Sequence, residues 1–203
     1  MAVGEFAEAI PYLEKFDKYA SSLHPGAMGR QIELSVCHWM IGERTTAREI
    51  IKSLVVAVRD GKVYYTDAAG GVGQGLILCY MAVTSGARSD IDLAMNYLKK
   101  LAGRDLIKSW PGPAALFLLG GLSFGETLKD ATGTADLAQA KAVAQKDVLK
   151  RRWLVDTLFA AGTERRMAGD EAGCRLLMRE CAGLPHPKVE YEWYLAQSEM
   201  ANP

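Results

Sequence analysis

Trp39-Met40-Ile41-Gly42-Glu43-Arg44-Thr45-Thr46-Ala47-Arg48-Glu49-Ile50 reads as a helix end, a turn and the start of the next helix. The same order of residue types returns without a gap at Arg166-Met167-Ala168-Gly169-Asp170-Glu171-Ala172-Gly173-Cys174-Arg175-Leu176-Leu177. Both run apolar, Gly, acidic, small, Arg, apolar. Glycine closes a helix where the chain must adopt a left-handed conformation. The small residue, Ala47 or Cys174, lets the second helix approach the first closely. Gly86 and Gly125 also follow apolar runs and precede polar restarts, and the steps from Gly42 to Gly86, to Gly125 and to Gly169 are 44, 39 and 44 residues. Such near-regular spacing predicts a repeated helix-turn-helix unit. By their spacing, Thr46 and Glu49 form a capping box, and Ser89 before Asp90-Ile91-Asp92 caps another helix.

Working outward, Ile51, Leu54, Val55 and Val58 fall at helical offsets, as do Cys174, Leu177, Met178 and Cys181. Leu76–Val83, Ala114–Leu119 and Trp153–Phe159 are apolar on several faces, as helices covered by neighbours on both sides must be. The best strand candidate, Val63-Tyr64-Tyr65-Thr66, has no alternating partner elsewhere. The fold class expected is therefore all-α, in antiparallel helix pairs.

The turn-centred pattern, and above all Leu158-Phe159-Ala160-Ala161-Gly162 continuing through Gly169-Asp170 to Cys174 and Leu177, resembles tetratricopeptide-like (TPR-like) repeats. The resemblance covers about two of four units. It implies an α-solenoid, a right-handed superhelix of stacked pairs that presents a groove to proteins or peptides and has no catalysis of its own. The chain departs from the family pattern in three ways. Its spacing near 40 exceeds the usual ~34 residues, the third unit carries a polar insert at Asp130-Ala131-Thr132-Gly133-Thr134, and no proline closes each unit. A compact helical bundle with coincidental glycines is the competing arrangement. Either way a single domain over residues 1–203 is expected, with an N-terminal helix in 1–25, about four units in 26–185 and a capping helix in 186–203. Pro11 should start or interrupt the first helix, His24-Pro25-Gly26 should end it, and Pro187 should sit in the first turn of the last.

Composition bounds the function. Of 203 residues 49% are apolar, and 24 Lys plus Arg balance 24 Asp plus Glu, so no global field draws the chain to nucleic acid or to an anionic membrane. MAVGEFAEAIPYLEKF lacks the basic start and unbroken apolar run of an export signal, and the longest apolar run, Leu76–Val83, is far shorter than the ~20 residues of a membrane span. A cytoplasmic location is expected. Cys37, Cys79, Cys174 and Cys181 lie in apolar stretches without CxxC spacing and read as free, buried thiols.

Chemical motifs are sparse. Gly70-Gly71-Val72-Gly73-Gln74-Gly75 precedes an apolar helix as a phosphate-cradling loop would, yet no Lys-Ser or Lys-Thr follows it. Its glycines are expected to turn the chain tightly and to let the next helix pack closely. His24, His38 and His186 are isolated, and no metal or cofactor is expected. Glu190 and Glu192, two apart in what reads as a helix, should diverge and form no acid/base pair. The basic cluster Lys146, Lys150, Arg151, Arg152, Arg165 and Arg166 could hold an acidic segment, although Asp147, Asp156 and Glu164 interrupt it. Val189-Glu190-Tyr191-Glu192-Trp193-Tyr194-Leu195 is rich in the aromatics that dominate binding hot spots and equally in those that anchor terminal helices. Trp110 stands in a rigid loop, Ser109-Trp110-Pro111-Gly112-Pro113.

Together these features predict a non-catalytic protein-protein interaction module for a protein or peptide partner, contacted through Trp110, Arg151, Arg152, Tyr191, Trp193 and Tyr194. A bacterial immunity protein that neutralises a toxin is a specific version of this class. The alternative is an enzyme or small-ligand-binding protein with a helical pocket near Gly70–Gly75; a third is a structural subunit that buries its helix faces in a homo-oligomer.

Overall fold

A computed structural model describes residues 3–23, 30–63, 68–187 and 190–201. They form eleven α-helices and one 3-10 turn: α1 Val3–Leu23, α2 Gln31–Met40, α3 Arg44–Arg59, α4 Val72–Thr84, α5 Arg88–Ala102, the 3-10 turn Asp105–Lys108, α6 Gly112–Leu118, α7 Phe124–Thr132, α8 Leu137–Lys146, α9 Val148–Met167, α10 Glu171–Ala182 and α11 Tyr191–Ala201. The chain is all-α, with no strand among the described residues. Residues 64–67, which held most of the strand candidate, and His24-Pro25-Gly26 lie outside them.

Three turns form where glycine spacing places them. At Gly42, Gly86 and Gly169, with φ of 89°, 66° and 79°, the glycine N–H returns to a carbonyl three residues back and the next N–H to one five residues back. These bonds satisfy carbonyls that a helix end leaves orphaned. Gly125 is a correction. It is the second residue of α7, and the same paired bonds occur instead at Gly120, φ 77°. The Gly-polar pattern at Gly125 belongs to a helix start: Ser123 Oγ accepts from Glu126 N–H while the Glu126 carboxylate accepts from Ser123 N–H. The helix starts read from Thr46 and Ser89 are also corrected, because α3 and α5 begin at Arg44 and Arg88 with no side-chain cap. Asp136, Asp147 and Asp170 cap α8, α9 and α10. Pro11 lies inside a continuous α1, and Pro187 precedes α11 rather than opening it.

The core is built on α4 and α9. Helix α4 is buried on almost every face from Val72 to Ala82, against α3, α5 and α9. Helix α9 packs against α4, α6, α7, α8, α10 and α11. Trp39, Tyr80 and Phe159 form an aromatic chain through the centre, with ring centroids 5.6 and 4.8 Å apart. Ala47 and Cys174 are fully buried, as close approach within the α2–α3 and α9–α10 pairs requires. Helix α11 packs on α9 and α10 and also on α2, so the last element touches the first pair. There its Glu199 accepts from Tyr80 Oη at 2.5 Å and from both terminal nitrogens of Arg166 at 2.7 and 3.0 Å, tying α4, α9 and α11 together. Among the described residues no helix is long and apolar enough to cross a membrane.

Candidate functional site: a cleft with a carboxylate floor

Five segments meet around a cleft of about 640 Å³, to which α2 contributes Ile32. The loop before α6 supplies Ser109, Trp110 and Pro111; α9 supplies Leu149, Arg152, Trp153 and Asp156; the glycine loop and α4 supply Ala68, Gly73 and Ile77; and the entry to α11 supplies Glu190, Tyr191 and Glu192. Trp110 lies nearly parallel to Trp153, centroids 5.6 Å apart at 11°, which gives the cleft an extended aromatic wall.

On the floor, one carboxylate oxygen from each of Asp156, Glu190 and Glu192 falls within 4.8 Å of the others. Asp156 and Glu192 are only 4% and 3% exposed. Like charges this close repel, and the fold opposes that repulsion. Arg152 Nε donates to Glu190 Oε1. Glu190 and Glu192 also stand at the start of α11, and Glu192 Oε1 is 3.9 Å from where a Cβ on Gly73 would sit in the first turn of α4, which sets the cluster beside the positive ends of two helices. Three carboxylates against two cations, Arg152 on the floor and Lys108 elsewhere in the lining, leave the cleft formally negative by one charge. Three oxygen donors of this kind suit a hard cation or a cationic side chain.

The expected divergence of Glu190 and Glu192 is overturned here. Glu190 lies outside α11, so the 100° step between helical neighbours does not separate them, and Asp156 from another helix completes the group. No spacing in the sequence joins residue 156 to 190.

Of the partner-binding residues named from the sequence, Trp110, Arg152 and Tyr191 line the cleft. Arg151 does not. Its guanidinium donates to the carbonyls of Ala144 and Gln145, at 2.9 Å each, at the end of α8, where helix carbonyls lack intrahelical donors. Trp193 and Tyr194 form a ring cluster with His186, and Trp193 Nε1 donates to Leu184 O at 3.1 Å, which anchors α11. The basic cluster is dispersed: Arg165 pairs with Asp170, Arg166 with Glu199 and Glu171, and Lys150 reaches Thr132 O.

The glycine loop borders the same cleft. Gly71, φ 98°, offers its carbonyl to Tyr97 Oη at 2.8 Å, and Tyr97 Oη also accepts from Gln74 Nε2. A Cβ on Gly75 would stand 2.6 Å from Leu98 Cδ2, the close α4–α5 packing expected of a glycine there. His38 Nδ1 lies 2.6 Å from Glu43 Oε2 across the α2–α3 turn. All four cysteines are free and buried. Burial, with Glu33 nearby, pushes the Cys37 thiol up to about 11, and burial pushes Cys79 up to about 12. Compared with family models, curated proteins and solved structures, the chain matches none.

Proposed function

We propose that the chain is a non-catalytic binding protein whose contact point is the cleft, and that the cleft receives a cationic Lys or Arg side chain from a protein partner. The observation that carries this reading is the carboxylate trio set beside the stacked Trp110 and Trp153. Carboxylates attract a cation and fix its hydrogen bonds, and tryptophan faces attract it through their quadrupole, each such contact contributing roughly 0.5–2 kcal/mol. The three helix pairs closed at Gly42, Gly86 and Gly169 support a TPR-like relation, in which helix pairs form a scaffold for protein ligands. A toxin-neutralising immunity protein is the specific form of this class, and an acidic cleft suits a toxin that presents a basic side chain. Four free, buried thiols suit a cytoplasmic setting.

One observation favours the rival reading. A cavity of about 640 Å³ bordered by the glycine loop is of a size that holds a small ligand. Affinity capture from the native host, using the natural chain, Asp156→Asn with Glu192→Gln, and Arg151→Glu, separates the two. Binding through the cleft predicts a stoichiometric partner that the carboxylate variant loses and Arg151→Glu keeps. A partner retained by the carboxylate variant contradicts it, and a small molecule that raises the melting temperature with no protein captured moves the assignment to a ligand site.

A further inference from the structure

About 200° round α4 from Ile77, and so away from the cleft, Cys79 meets two methionines from other helices. Its Sγ lies 4.0 Å from Met95 Sδ on α5 and 3.8 Å from Met167 Sδ at the end of α9. Cys79 is fully buried, Met95 half-buried and Met167 39% exposed, so the trio runs from the core to the surface. A metal bound to three sulfurs at the corners of a triangle, with bonds of about 2.3 Å, holds those sulfurs about 4.0 Å apart. The two distances from Cys79 match that spacing.

We propose that Cys79, Met95 and Met167 form a binding site for a soft monovalent cation, Cu(I), with one thiolate and two thioether ligands. Thioether and thiolate sulfurs select Cu(I) over hard divalent ions. Binding breaks the Cys79 S–H bond, releases the proton to water and forms an S–Cu bond, with no change in oxidation state. The resulting pair of Cu(I) and thiolate is neutral. That matters because Cys79 is fully buried, where a lone charge is costly, and a monovalent ion cancels the thiolate charge without leaving the residual positive charge a divalent ion would bury.

The test is anaerobic titration of the full chain with Cu(I) against a chromophoric chelator, with Ag(I) as a redox-inert second probe and circular dichroism to follow folding. One ion per chain should be retained, one proton should be released per ion, and X-ray absorption at the copper edge should show three sulfurs at about 2.3 Å. Cys79→Ser should abolish retention. Met95→Leu and Met167→Leu, which keep the apolar volume, should fold normally, weaken binding by about tenfold or more and drop the sulfur count to two. Retention unchanged in both methionine variants, or no ion held by the folded natural chain against the chelator, would overturn the proposal and leave the trio as packing alone.

Discussion

The α9–α10 pair and the stretch from Gly103 to Ala135 are built on opposite terms. Helices of 20 and 12 residues meet at a glycine turn in the first, where a Cβ on Gly162 would stand 2.8 Å from Met178 Cε, so the two backbones approach closely along a periodic seam. The second contains a 3-10 turn and helices of only seven and nine residues, broken by the prolines and glycines around Trp110. Regularity gives the molecule its core. Irregularity brings Trp110 over Trp153 and so makes one wall of the cleft. Loops held by a rigid scaffold are where binding residues concentrate.

Four substitutions or conditions break or sharpen that contrast. Phe159 is fully buried against Tyr80, so Phe159→Ala should cost about 3–5 kcal/mol, read as a lower denaturant midpoint. In the irregular stretch, a Cβ at Gly112 would lie 1.7 Å from the carbonyl oxygen of Ile107, a backbone atom that cannot yield by rotation. Gly112→Ala should therefore cost roughly 1–3 kcal/mol and, unlike Phe159→Ala at equal folded population, change the near-ultraviolet dichroism of the Trp110–Trp153 stack. Third, burial alone would raise the Glu199 carboxyl, but hydrogen bonds from Arg166 and Tyr80 and the charge of Arg166 hold it below the ordinary carboxylate value. A carboxyl lowered on folding stabilises fully above its ordinary value and loses that contribution as pH falls through the lowered one. Glu199→Gln should thus destabilise at pH 7 and flatten the loss of stability below about pH 4.5, measured by denaturation across pH. Smallest, Asp170 accepts from Gly173 N–H at 2.8 Å at the start of α10, and Asp170→Ala should cost about 1 kcal/mol with the cleft and its binding unchanged.

The same contrast explains what could be read from the chain alone. Helices, three glycine turns and the buried α4 were legible because apolar periodicity and left-handed turns leave local marks on the sequence. Gly125 misled because Ser123-Phe124-Gly125-Glu126 is a helix start whose glycine mimics a helix end. Asp136, Asp147 and Asp170 each precede a helix and cap it, whereas Thr46 and Ser89 lie inside α3 and α5, where a capping side chain has no free helix end to serve. Within the cleft, Trp110, Arg152 and Tyr191 were named from composition, but the floor was not: Asp156 sits in a run that reads as core, and only tertiary packing brings it to Glu190 and Glu192. Arg151 beside Arg152 shows the limit from the other side, since neighbours in one basic run point to a helix end and to the cleft respectively.

The most direct test of the cleft is calorimetric titration of the natural chain, and of Asp156→Asn with Glu192→Gln, with two short peptides of equal length, one arginine-rich and one glutamate-rich. A cation-binding cleft should bind the arginine-rich peptide alone, salt should weaken that binding, and the carboxylate variant, folded by circular dichroism, should lose it. Equal binding of both peptides, or binding of the arginine-rich one that survives removal of both carboxylates, would contradict a cation-binding cleft.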